Sequence, residues 1–77
     1  MPTAREHPKK QPVESSNIAS IGYDPSTGIL EIEFVSGATY AYYDVPPQVH
    51  RSLMKATSPG TYFHKYVKGF YQCERIE

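Results

Sequence analysis

Hydrophobic and polar positions alternate most regularly over Ile29–Val35, where Leu30, Ile32 and Phe34 fall on one side and Glu31 and Glu33 on the other. A period of two belongs to an extended chain with one buried face, so this segment predicts a half-buried strand. Ile18–Tyr23 precedes it as a first strand, closed by the turn-forming run Asp24, Pro25, Ser26, Thr27 and Gly28. Thr39–Tyr43, rich in β-favouring residues, supplies a third.

The turn between the second and third strands decides which way the tyrosines point, because a slip of one residue turns every side chain to the other face. A two-residue loop at Ser36-Gly37 pairs Ile32 with Ala41 and sets Tyr40 and Tyr42 on the side of the glutamates. A three-residue loop, Val35 to Gly37 with Gly37 left-handed, pairs Ile32 with Tyr40 and Leu30 with Tyr42. The second register buries two aromatic rings against the apolar stripe and is the one expected. On it Tyr40 and Tyr42 belong to the core, and Tyr43 lies beside the glutamates.

Beyond the strands the period changes. Pro46 and Pro47 suit the first turn of a helix, with Asp44 just upstream at its positive end. Val49, Leu53 and Ala56 then recur at helical spacing, with Arg51 and Lys55 opposite. The run 57–60 breaks this helix, and Ser58 with Pro59 predicts the N-cap and first residue of a second. Phe63, Tyr66, Val67 and Phe70 form its expected apolar face, with His64, Lys65 and Lys68 opposite and Gly69 at its end. Residues Tyr71 to Ile76 read equally as a short last strand or as an extended tail. The fold class expected is α+β, a three-stranded antiparallel meander followed by two short helices packed on one face.

The ordered succession of Leu30, Ile32, Phe34, Gly37, the Tyr40-Ala41-Tyr42 triplet, Val45-Pro46, Val49, Leu53, Ala56, Ser58, Gly60, Tyr62-Phe63 and Val67-Lys68 resembles the KTSC family. The resemblance covers residues 18–71. It implies a domain found at the C-terminus of some lysyl-tRNA synthetases and as small free-standing bacterial proteins. It brings no established activity and no catalytic residue, and its link to RNA rests on that fusion.

Seventy-seven residues make one domain at most, and a chain this short buries only ~60% of the surface it exposes unfolded. Cys73 is the single cysteine, so no intrachain disulfide contributes. A lone thiol fits a reducing compartment, and Cys73 reads as a half-buried structural residue. No apolar run approaches the ~18–20 residues that span a bilayer. The polar start of the chain carries no secretory pattern, so the expectation is a cytoplasmic protein with no membrane contact. Residues 1–16 hold three prolines and no aromatic, and predict a disordered tail ahead of a domain at 17–77. Its Arg5, His7, Lys9 and Lys10 offer the alternative of a basic arm.

The candidate chemistry is not catalytic. His50, His64, Asp44, Ser58 and Cys73 show no spacing that brings nucleophile, base and orienting group together. Histidines at 7, 50 and 64 have no paired ligand spacing, and there is no phosphate-binding glycine loop, so no metal, cofactor or small-molecule substrate is expected.

Charge changes the picture more. The chain is neutral overall, yet residues 17–44 carry Asp24, Glu31, Glu33 and Asp44 with no Lys or Arg, whereas residues 45–73 carry Arg51, Lys55, Lys65 and Lys68 with no acid. One reading is a nucleic-acid surface on the helices, Arg51, Lys55, Lys65 and Lys68 on phosphates with Tyr62 and His64 for stacking, suited to single-stranded RNA. A second is a protein partner or a homodimer, with Glu31, Glu33 and Tyr43 of the acidic sheet face meeting a basic surface. The third is a pair of solvated helix faces.

Overall fold

The computed structural model describes residues 10–77. Its strands are β1 (Lys10–Pro12), β2 (Ile18–Asp24), β3 (Ile29–Phe34), β4 (Thr39–Tyr42) and β5 (Cys73–Arg75), with α1 (Pro47–Lys55) and α2 (Pro59–Tyr66) between β4 and β5. The strands form one antiparallel sheet in sequence order. The fold is therefore the expected α+β class, with five strands where the alternation predicted three. The undecided C-terminal stretch is a strand: Cys73 pairs with Tyr42 and Arg75 with Tyr40, and Ile76 N–H donates to the Thr39 carbonyl at 2.8 Å.

The first strand was not legible. Lys10–Pro12 is polar and falls in the segment expected to be disordered, yet it pairs with residues 20–22 of β2. Backbone pairing asks nothing of side-chain hydrophobicity at an edge, which is why polar residues and a proline serve there. The join is also organised. The Ser15 hydroxyl accepts from the N–H groups of Asn17 and Ile18, each at 3.1 Å. Order thus begins ahead of the expected boundary at Asn17, and the rest of the expected tail lies outside the described residues.

The β3–β4 register is the three-residue-loop one, with Leu30 opposite Tyr42 and Ile32 opposite Tyr40. Gly37 at φ +102° makes the turn, its N–H donating to the Phe34 carbonyl at 2.9 Å. In β2 a bulge between Ile18 and Ser20 shifts the pairing by one residue. Ile18 and Ile21, three apart and so of opposite parity, consequently both reach the inner face. There they join Leu30, Ile32, Tyr42, Val45, Leu53, Phe63 and Val67 in the core.

Both helices start as expected. Pro47 opens α1, and the Ser58 hydroxyl caps α2 by accepting from Thr61 N–H at 3.4 Å. The apolar face of α2 is narrower than its spacing predicts. Phe63 and Val67 are buried, but Tyr66 and Phe70 are 55% and 68% exposed. The helix stops at Tyr66, and a left-handed Gly69 turns the chain away before Phe70. Tyr66 instead lays its ring on Tyr62, centroids 4.7 Å apart, along the helix surface.

Candidate functional site

An eight-residue helix cannot roof a sheet from end to end. Phe63 of α2 covers Tyr42, with which it packs edge-to-face at 5.5 Å. Phe63 also meets Phe34 edge-to-face at 5.5 Å, and Phe34 and Tyr40 stay half-buried beside it. The resulting groove holds about 480 Å³, floored by Phe34, Tyr40, Tyr42 and Phe63 and rimmed by Asn17, Ser36, His64, Lys68 and Cys73. That size lies within the ~300–1,000 Å³ of small-ligand sites. A second, polar cavity of about 330 Å³, lined by Ser16, Ser58, Thr61 and others, shares Asn17 and His64 with it.

The electrostatics of the groove have one sign. Among the described residues no Asp or Glu lines it, while Lys68 and His64 stand on the same rim. Burial pushes the Tyr42 phenol up to about 12, with the Cys73 thiol and Tyr40 adding to the effect, so Tyr42 remains a neutral hydrogen-bonding group. Cys73 is exposed rather than half-buried, because it belongs to a three-residue edge strand that no element covers.

Of the six residues expected on a basic helical surface, the fold brings His64 and Lys68 to the groove. Arg51 lies elsewhere, beside Tyr23 and His50 at the β2–β3 turn end of the sheet. There the Tyr23 and His50 rings stack at 4.7 Å, 17° from parallel, and the Tyr23 hydroxyl donates to the Val45 carbonyl. Burial, then the Arg51 charge, holds His50 below its ordinary value, and burial, then the Asp24 charge, raises Tyr23. Lys55 and Lys65 are exposed on the helices, and Tyr62 is half-buried against the core.

The acidic sheet face is less open than the alternation implies. Glu31 is only 1% exposed. Strands on both flanks make β3 the centre of the sheet, and Glu31 sits in a row with Lys10, Gly22 and Ala41, the Lys10 Nζ lying 4.0 Å from its Oε1. Glu33 accepts from the Ser20 hydroxyl at 2.6 Å. Tyr43 donates to Glu74 Oε1 at 2.7 Å, a bond that raises its pKa.

The residues that sequence reasoning missed are Asn17, Phe34, Ser36 and Tyr40. Phe34 and Tyr40 were assigned to the core, and they do pack on it. Their place at the turn end of their strands was the available signal. Nothing in sequence marks Asn17. Among the described residues no group of three His, Cys, Asp or Glu is placed to hold a metal, and no helix is long and apolar enough to cross a membrane.

Known proteins share this framework. A KTSC domain protein of Yersinia pestis superposes with a TM-score of 0.85 at 46% identity, over 90% of this chain and 97% of that one. A protein of Tsukamurella paurometabola is 52% identical over 58 residues, 75% of this chain and 87% of its own length. The lysine–tRNA ligase of Nostoc sp. is 43% identical over 63 residues, 82% of this chain but 11% of the ligase. The KTSC domain profile itself matches residues 14–71, from just ahead of β2 to just short of β5. The register, the helix pair and the profile agree, and the chain belongs to the KTSC domain family.

Proposed function

We propose that this chain is a non-catalytic nucleic-acid-binding module, with RNA as its partner and the groove end of the basic helical surface as its contact. The observation that carries the reading is the conjunction of Lys68 and His64 with a half-open aromatic floor and no lining carboxylate. Cations neutralise phosphates and aromatic faces take unpaired bases, while a nearby carboxylate would repel the phosphate. The relation to a short part of lysine–tRNA ligases, enzymes named for an RNA substrate, supports the same partner class. Lys55 and Lys65, exposed on the helices, then add a broader electrostatic field, while Arg51 stands at the other end of the sheet.

The protein-partner reading through Glu31, Glu33 and Tyr43 has less geometry behind it, since those groups are buried or hydrogen-bonded within the sheet. The deciding experiment is fluorescence anisotropy with a mixed single-stranded RNA pool at low salt. Wild type binds with a salt-dependent affinity, and the folded K55A/K65A/K68A variant binds much more weakly. Absence of salt-dependent binding by wild type overturns the proposal.

A further inference from the structure

We infer that the groove takes a single unpaired ribonucleotide, its base over Phe34 and Tyr40, its edge at Asn17 and its phosphate at Lys68. This rests on the nucleic-acid reading and adds what is bound within it.

The ring geometry argues for one base. A tract of stacked bases needs platforms in parallel planes. Here Phe34 and Tyr40 stand 78° apart, Phe34 and Phe63 70°, and Tyr42 and Phe63 77°. Phe63 and Tyr42 are also buried, so the accessible π-surface is that of Phe34 and Tyr40 alone. A base lying flat on one of these rings meets the edge of the other, and no second platform continues the stack. The floor therefore accepts one base turned out of its strand.

The polar groups fall where the rest of a nucleotide requires them. Asn17 lines both cavities, and its side-chain amide makes no hydrogen bond among the described residues, leaving a donor and an acceptor for a base edge. The second cavity, lined by Ser16, Ser58 and Thr61, has hydroxyls and no carboxylate, which matches a neutral sugar with a 2′-hydroxyl. Lys68 stands on the groove rim, four residues beyond His64, as the cation for the phosphate.

The test is an NMR titration of the ¹⁵N-labelled full chain with ribonucleoside monophosphates, ribose 5-phosphate and a short single-stranded RNA. The expected result is that the monophosphates move the signals of Asn17, Phe34, Tyr40 and His64. Ribose 5-phosphate binds about tenfold more weakly or less, having lost the stacking contribution. N17A evens out preferences among the four bases while leaving ribose 5-phosphate binding unchanged. If the RNA binds but monophosphates leave the groove signals unmoved, the single-nucleotide inference falls and the nucleic-acid reading survives. If neither binds, both fall. Groove signals that follow protein concentration instead assign the groove to a second copy of the chain and overturn the inference.

Discussion

The rings of Phe34 and Tyr40 meet edge-on, with centroids 6.0 Å apart and planes 78° apart, at the β3–β4 turn end of the sheet. The same pair closes the core and floors the groove, so loss of the Tyr40 ring lowers binding and stability together. Tyr40→Phe keeps the ring and leaves both RNA affinity and Tm near wild type. Tyr40→Ala removes a stacking face worth ~1–3 kcal/mol of binding. In stability it costs roughly half the ~3–5 kcal/mol of a fully buried aromatic. Anisotropy and thermal unfolding measured on both variants check the two effects.

Lys68 stands at the groove rim and Lys55 does not. Lys68→Ala should therefore lower RNA affinity more than Lys55→Ala. It should also reduce the slope of log K against log salt by about 0.7, the value for one phosphate contact on a single strand. A salt series on the two single variants measures this directly.

Gly37 adopts φ +102° at the turn that fixes the tyrosine register, and a Cβ there would meet nothing within 4 Å. The cost of Gly37→Ala is thus conformational rather than steric, about 1 kcal/mol. Gly37→Asn costs less, because asparagine tolerates positive φ better. Denaturant unfolding of both variants tests the ordering.

His50 makes stability depend on pH. Burial, with Arg51 nearby, holds its folded-state pKa below the ordinary value. The unfolded chain then takes up the proton first on acidification. The contribution is present above ~6.5 and is lost as pH falls through the folded value. Tm should drop as pH falls below ~6.5, and His50→Gln should flatten that part of the profile.

Much of the fold could be read from the chain because its signals are local. Alternation over β3, the Ser58-Pro59 helix start and the Gly37 turn each carry their own chemistry, and each is realised. What escaped is set by the assembly. β1 has no apolar pattern because an edge strand is held by backbone bonds. The bulge that brings Ile18 to the core face is a property of the pairing with β3. Glu31 alternates like a surface residue, yet flanking strands enclose it. The basic surface was similarly legible as charge, but only the fold shows that Lys68 and His64 share a groove with Tyr40 while Arg51 lies by Tyr23.

We propose that RNA engages this groove rather than the other faces of the domain. Chemical-shift mapping of the ¹⁵N-labelled protein with a short single-stranded RNA at low salt tests it most directly. RNA bound in the groove gives the largest perturbations at Asn17, Tyr40, His64 and Lys68, fading as salt is raised. Perturbations centred on Glu33 and Tyr43, or none at low salt, would contradict it.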